Sequence, residues 1–289
     1  MAKVGIIGAG MMGAGIAQTA AQSGHDVILT DISLEIAEKA KAGIAKGLSR
    51  LVAKEKIADT EAAATLARIT PVGDYALMSE ANIVVEAATE REDVKLRIFE
   101  AIGKVLAADA VLASNTSSIP ITRMAAASID PARFIGLHFF NPVPVMRLIE
   151  IIPGLATSAE TVERIRAFAT SLGKEIVMSQ DETGFVVNRI LVPMLNEAMF
   201  VLSAGTGSVV DIDRGMQLGA NHPMGPLTLA DFVGLDTLLE IMRVLQSTTG
   251  DPKYRPAPVL AKYVEAGWLG RKSGRGFYDY SGPEPVPTR

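Results

Sequence analysis

The stretch VGIIGAGMMGAGIA, Val4 to Ala17, constrains this chain more than any other. Val4, Ile6 and Ile7 read as a short buried strand. Gly8, Gly10 and Gly13 follow in G-x-G-x-x-G spacing and open onto a helix of small apolar residues. In that pattern Gly8 permits the tight strand-to-helix turn, Gly10 lets a pyrophosphate approach the backbone, and Gly13 lets the helix pack closely on a sheet. The free N–H groups of the first helical turn, at Met11 and Met12, would hold the phosphates with the help of the helix dipole. Glycine-rich turns also occur in α/β proteins that bind no nucleotide, so the spacing needs context.

Asp31 supplies that context. Gly24 and His25 turn the chain into a second strand, DVILTD, whose last residue stands 18 positions beyond Gly13. A carboxylate at such a strand end accepts hydrogen bonds from an adenosine ribose in dinucleotide-binding folds. A capping role on the helix starting near Leu34 is compatible with this. Asp31 would repel a 2′-phosphate, and Ile32, Ser33 and Leu34 supply no arginine to receive one, which favours NAD over NADP.

Composition narrows the partners. The chain has 289 residues, 48% hydrophobic and 21% charged, enough for one large domain or two ordinary ones with ample core. A formal net charge of -4 gives no general affinity for nucleic acid or an anionic membrane. The absence of cysteine excludes disulfides, thiolate metal sites and a cysteine nucleophile, and suits a cytoplasmic location. Residues 4 to 25 are almost free of charge, but five glycines with Gln18, Thr19, Gln22 and Ser23 make them a poor membrane span or leader. No metal-ligand spacing, GxSxG or GxxxxGK[ST] motif is present.

Strands and helices alternate up to about residue 178: a long helix from Leu34 to Lys56, a short one over 60–67, strands at Ile69–Val72 and Asn82–Ala87, and an amphipathic helix from Glu90 to Val105. In that last helix Val94, Ile98, Ala101, Ile102 and Val105 are expected to face the core. The segments VLASNTSS, FIGLHFF and MRLIEII follow as further strands. Thr157 and Glu160 then have capping-box spacing before a helix, and EIVMS closes the series. Beyond Asp181 helical patterns take over, at 184–205, 209–218, 225–249 and 256–266, and the PEPVPT tail reads as disordered. The expected architecture is a mostly parallel α/β sheet over residues 1–182 and a second, all-α domain over 183–289.

The chain has three histidines. His138 lies in an apolar strand, where a histidine is more often a satisfied core residue than a reactive one. Glu150, however, interrupts another apolar strand 12 residues later and needs a partner there. If the two strands are neighbours, His138 and Glu150 make a base with its orienting carboxylate. Ser117 and Ser118 follow a strand end, where a helix N-cap is the plain alternative. Asn188 shares a helical row with Leu191, Leu195 and Met199, which equally suits an interhelical hydrogen bond. Lys39, Lys46, Arg50 and Lys54 form one stripe with Lys56 just beyond, either a solvated face or a landing surface for a second polyphosphate ligand.

With HFFNPVPVMRLIE joined to GAGMMGAGIA, VVEAATE, SNTSS, GFVVNRILVPMLNEA, ANHPMGPLTLAD and GWLGRKSGRGFYDY, the chain resembles the 3-hydroxyacyl-CoA dehydrogenase family from Lys3 to Tyr280. The resemblance implies a Rossmann-type domain, NAD as cofactor and an acyl-CoA substrate. It implies that His138 exchanges the proton of the 3-hydroxyl, that Glu150 holds its imidazole, and that Ser117 and Asn188 contact the reacting oxygen and substrate. It also places Glu90 and Lys95 near the cofactor, Asn115 and Asn141 beside the reaction centre, and Lys54 and Lys56 near the CoA phosphates. Glu55 between those lysines departs from the small residue common in such chains and weakens that phosphate contact. A homodimer through the helical domain is expected. The alternatives are a dehydrogenase of free hydroxy acids, which has no use for the basic stripe, and a silent NAD-binding scaffold, which has no use for the four polar residues together.

Overall fold

The computed structural model describes residues 1–288, which divide into two compact units, Met1–Phe185 and Val186 onward. The first unit begins β1 (Lys3–Ile7), α1 (Met11–Gln22), β2 (Asp26–Thr30), α2 (Leu34–Ala53), α3 (Asp59–Ala67) and β3 (Ile69–Val72). It continues β4 (Ile83–Glu86), α4 (Glu92–Gly103), β5 (Val111–Ser114), α5 (Ile121–Ala126), β6 (Phe134–Phe139), β7 (Leu148–Pro153), α6 (Ala159–Ser171) and β8 (Glu175–Met178). These strands form one eight-stranded sheet in the order β3-β2-β1-β4-β5-β6-β7-β8. Every pairing is parallel except β6 with β7. The chain winds outward from β1 to β3 and returns to lay β4 on the other side of β1, which creates a switch point at the carboxyl ends of β1 and β4.

Strand alternation splits the core into two layers. Val4, Ile6, Ile83 and Val85 face a layer containing Ile16, Leu48, Ile165 and Phe168, while Ile7 and Val84 face Phe99, Ile102, Ile121 and Met124. Both faces are covered by helices, so the central strands are apolar along most of their length, with Thr30, Glu86, Ser114 and His138 as buried polar exceptions.

Three local expectations are corrected. The helix at 34 is capped by Ser33, whose hydroxyl accepts the Ile36 N–H, and not by Asp31. The cap of α6 is Ser158, which accepts the Thr161 N–H, while Thr157 Oγ1 accepts from Gly154 N and donates to the Phe134 carbonyl. In α4 Ile102 is buried and Ile98 and Val105 pack against the core as expected, but the face extends to Phe99 and Lys95, which are fully buried and were not expected there. Apolar periodicity could not show this, because Lys95 finds its partner in another strand.

The second unit contains α7 (Val187–Ser203), α8 (Val209–Gly219), α9 (Pro226–Val233), α10 (Leu235–Thr249) and α11 (Pro258–Glu265) around Leu195, Met199, Leu227, Leu238 and Met242. The expected continuous helix over 225–249 is broken at Gly234, whose φ of 103° an α-helix cannot contain. The tail is also ordered. Val286–Pro287 pairs antiparallel with Tyr278–Asp279, and Asp231 accepts the N–H groups of Phe277 and Tyr278 and the Tyr280 hydroxyl. No helix among the described residues is long and apolar enough to cross a membrane.

Candidate active site

Because β1, β2, β4, β5 and β6 are parallel, the residues after each of them collect along one edge of the sheet. At β1, Gly8 has φ 99°, and a side chain there would strike the backbone of Ala87 and Ala88. A side chain at Gly13 would strike the Gly8 carbonyl, so α1 can begin where it does only with glycine at that point. Gly10 is exposed and faces open space; α1 has no side-chain cap, and Met11 is 71% exposed. The amide end of α1 is thus open to an anion. Asp31 follows β2. Its carboxylate accepts the N–H of Ala9 at 2.6 Å and of Ile32 at 2.7 Å, which fixes it beside the glycine turn, and Ile32 beyond it is 91% exposed. The crowded glycines, the uncapped helix and the fixed carboxylate fit a dinucleotide with its pyrophosphate on α1 and its ribose at Asp31.

Further along the edge, His138 and Glu150 stand directly opposite each other in the β6–β7 register. His138 Nδ1 lies 2.8 Å from Glu150 Oε2, with the imidazole 8% exposed and the glutamate side chain fully buried. A carboxylate oxygen only accepts, so Nδ1 carries the proton and Nε2 is left as the basic nitrogen. The rings of Phe140 and Phe185 lie 4.6 and 5.7 Å from the imidazole and hold its plane. Asn115, just after β5, accepts the Phe139 N–H at 2.9 Å and ties the loop beyond β5 to the histidine strand. Asn141 is exposed in the loop that follows.

Ser117 is held by Glu90, whose Oε1 accepts the Ser117 N–H at 2.6 Å, the Ser117 hydroxyl at 2.9 Å and the Thr116 hydroxyl at 2.9 Å. The serines do not cap the next helix. Thr116 Oγ1 accepts the N–H groups of Ser118 and Ile119, and Asp181 accepts those of Ile121 and Thr122 at the start of α5. Lys95 is buried below this loop, donating to Glu86 at 2.6 Å and to Ser114 at 3.3 Å. Glu86, Ser114 and Thr116 escaped the sequence reading. The signal was there for Glu86, because a glutamate closing the apolar strand IVVE is as conspicuous as Glu150 within LIEII.

Lys39, Lys46, Arg50, Lys54 and Lys56 are all exposed, with Lys54 capping the end of α2 and Glu55 at φ 53°. Asn188 lies in the first turn of α7 in the second unit and is half-buried. From α7 it is Asn196 that bonds outward, donating to the Arg255 carbonyl and accepting the Ala257 N–H in the segment just before α11. No group of metal-ligating side chains occurs among the described residues.

A dinucleotide turn on the same sheet edge as a buried histidine–carboxylate pair is the arrangement of a nicotinamide-dependent dehydrogenase. Residues 3–182 match the 3-hydroxyacyl-CoA dehydrogenase NAD binding domain and residues 184–280 match the C-terminal domain of the same enzymes. The chain belongs to the 3-hydroxyacyl-CoA dehydrogenase family and uses NAD. It is 52% identical over 287 residues to a 3-hydroxybutyryl-CoA dehydrogenase of Bradyrhizobium diazoefficiens, covering 99% of this chain and 98% of that one. It is 45% identical to the human mitochondrial hydroxyacyl-coenzyme A dehydrogenase over 285 residues, 96% of this chain and 90% of the relative. The crystal structure of (S)-3-hydroxybutyryl-CoA dehydrogenase from Ralstonia eutropha superimposes with a TM-score of 0.94 at 50% identity, covering 98% of this chain and all of that one.

Proposed function

We propose that this chain interconverts a short (S)-3-hydroxyacyl-CoA, such as 3-hydroxybutyryl-CoA, and the corresponding 3-oxoacyl-CoA. The observation that carries this is the in-register His138–Glu150 pair, with its free Nε2, on the edge that also holds the glycine turn. When bound, NAD exchanges a hydride with C3 of the substrate. An alcohol loses its proton far above neutral pH, so that exchange must be coupled to proton transfer with a positioned base. In the oxidative direction His138 Nε2 takes the proton of the 3-hydroxyl, and in the reductive direction it returns one to the carbonyl oxygen. Glu150 keeps Nδ1 protonated and balances the imidazolium. Ser117 donates to the reacting oxygen, the family resemblance assigns Asn188 to the substrate as well, and Asn115 and Asn141 border the reaction centre. Gly8, Gly10, Met11, Met12 and Gly13 hold the pyrophosphate, Asp31 the ribose, and Glu90 borders the nicotinamide end.

The exposed stripe from Lys39 to Lys56 favours a CoA ester over a free hydroxy acid, with Lys54 and Lys56 nearest the CoA phosphates. Ile190, Leu218 and Phe232 are exposed on the helical unit, at 67%, 78% and 46%, which supports a homodimer through that unit. A cytoplasmic location suits the cysteine-free composition. The test follows NADH absorbance with acetoacetyl-CoA and with free acetoacetate, in the parent chain and in His138→Gln. The expected result is a strong preference for the CoA ester and a loss of kcat in the variant of about 10²-fold or more, with NADH binding kept. An unimpaired variant would remove His138 from the reaction.

A further inference from the structure

The loop that joins β6 to β7 carries Asn141 and is held by a residue distant in the chain, Lys174. Residues 141–147 are exposed except for Val143, which is buried. Within the loop the N–H groups of Val145 and Met146 both turn back to the Pro142 carbonyl. Two contacts then fix the loop to its surroundings. Val143 lies against α1 at Gly15, where an added side chain would strike the Val143 Cβ, so the loop touches the backbone of the helix to which the pyrophosphate is assigned. The second contact is Lys174, whose Nζ donates to the Val143 carbonyl at 2.6 Å and to the Met146 carbonyl at 2.7 Å.

Lys174 is itself anchored through its backbone. It stands between α6 and β8: its N–H reaches the Ala169 carbonyl near the end of α6, and the next amide, that of Glu175, donates to the Arg147 carbonyl at 2.7 Å where the β7–β8 pairing begins. The side chain is half-buried, and burial lowers its pKa from the usual 10.5. An ammonium drawn out of water needs acceptors, and the loop carbonyls supply them. The neighbouring carboxylate, Glu175, pairs with Arg147 instead, and that exposed pair adds little to the hold on the loop. Two good bonds to one loop offset the rotamer freedom that a lysine gives up, and what they order is the loop.

We propose that Lys174 is a positioning residue for the dehydrogenase reaction: it locks the β6–β7 loop against α1, and through the loop sets Asn141 relative to the glycine turn and His138. This rests on the reading of Asn141 as a residue bordering the reaction centre. At the start of the loop Phe140 packs on His138, with ring centres 4.6 Å apart, and Asn141 follows directly. A misplacement of about 1 Å at a reacting pair can cost about 10²-fold in rate. The cost of freeing this loop should be smaller, because the strand register keeps His138 and Glu150 together.

The experiment compares Lys174→Met, Lys174→Gln and Lys174→Arg with the parent chain, using acetoacetyl-CoA and NADH and recording the melting temperature of each. Met removes the donors, Gln keeps one short amide group, and Arg keeps donors enough for both carbonyls. Well below its melting temperature, Lys174→Met should lose about five- to tenfold in kcat, with KM for acetoacetyl-CoA and the NADH dissociation constant within about threefold. Its isotope effect on kcat, with NADH deuterated at the transferred position, should rise above that of the parent chain. Lys174→Arg should return kcat to within about twofold of the parent. In an Asn141→Ala background Lys174→Met should cost less than about twofold further, because Lys174 acts through the loop that carries Asn141.

Full kcat in Lys174→Met would overturn the proposal, even beside a lowered melting temperature, since that leaves only a structural role. Equal losses in Lys174→Met and Lys174→Arg would also overturn it, as would losses from Lys174 and Asn141 that multiply independently. A rise in KM or in the NADH dissociation constant with kcat intact would make Lys174 a binding contact and overturn it too. If Lys174→Met does not fold, Lys174→Gln decides: a loss of about threefold or more in kcat supports the proposal and full kcat overturns it. Asn141→Ala is measured in parallel. Full activity there overturns the reading of Asn141 and this proposal with it, whereas an impaired Asn141→Ala beside an unimpaired Lys174→Met overturns this proposal alone.

Discussion

His138 and Glu150 are paired residues across the antiparallel junction of the eight-stranded sheet, with Nδ1 and Oε2 2.8 Å apart. Two adjacent strands in fixed register hold the pair, so neither side chain depends on a mobile loop for its position. Replacing Glu150 by Gln keeps the size and an acceptor but removes the charge that balances the imidazolium. The variant should fold and bind NADH, and kcat should fall by about 10- to 10²-fold, read in the NADH assay. Unchanged kcat would mean that the charge of Glu150 plays no part.

Asp31, just after β2, accepts the Ala9 and Ile32 N–H groups, and the proposed function gives it the adenosine ribose as well. Asp31→Ser removes both the ribose acceptor and the repulsion of a 2′-phosphate. NADH affinity should weaken by about tenfold or more, while the ratio of NADPH to NADH affinity rises. Fluorescence titration with the two cofactors measures both. An NADH affinity equal to that of the parent chain would dissociate Asp31 from the ribose.

The exposed lysines at the end of α2 should act on binding alone. Lys54→Ala with Lys56→Ala should raise KM for acetoacetyl-CoA by roughly three- to tenfold, leave kcat unchanged, and reduce the salt dependence of KM. Initial-rate measurements at two ionic strengths check it.

His25 makes stability depend on pH without touching the active site. Its Nδ1 accepts the Ala2 N–H at 3.1 Å, and its Nε2 lies 2.8 Å from the Ser171 hydroxyl, whose own proton goes to the Phe168 carbonyl. An amide N–H only donates, so the fold requires neutral imidazole, and burial holds the His25 pKa below its usual 6.5. The unfolded chain therefore binds this proton more readily than the folded one. The His25 contribution is fully present above pH 6.5 and is lost as pH falls from 6.5 towards the folded pKa. His25→Gln can accept from Ala2 and donate to Ser171 without titrating. Melting curves at pH 7.5 and 5.5 should therefore show a smaller acid-side drop in the variant than in the parent chain.

Much of the first unit was legible because its signals are local. The glycine spacing, the distance to Asp31 and the apolar strands can each be read within a few tens of residues, and the structure puts Gly8, Gly13 and Asp31 together at the ends of β1 and β2. Glu150 was legible for the opposite reason, as a charge out of place in an apolar strand. The misreadings share one cause. In α4 the expected core row missed Lys95, because a lysine reads as a surface residue by type and only its ion pair with Glu86 of β4 accounts for its burial. The tail was read as disordered because its proline-rich composition hides its pairing with Tyr278–Asp279 and the bond from the Thr288 N–H to the Phe277 carbonyl.

By itself the sequence determined the strand–helix alternation of a mostly parallel sheet, the cofactor turn and the family, because hydrophobic period, glycine placement and motif spacing are written along the chain. Only the tertiary structure decided which nitrogen of His138 is basic and which groups hold Ser117. It alone showed that Lys95, expected near the cofactor, is a buried cation between Glu86 and Glu90. Those outcomes depend on strand register and on the pairing of buried charges, both of which join residues that the chain keeps apart.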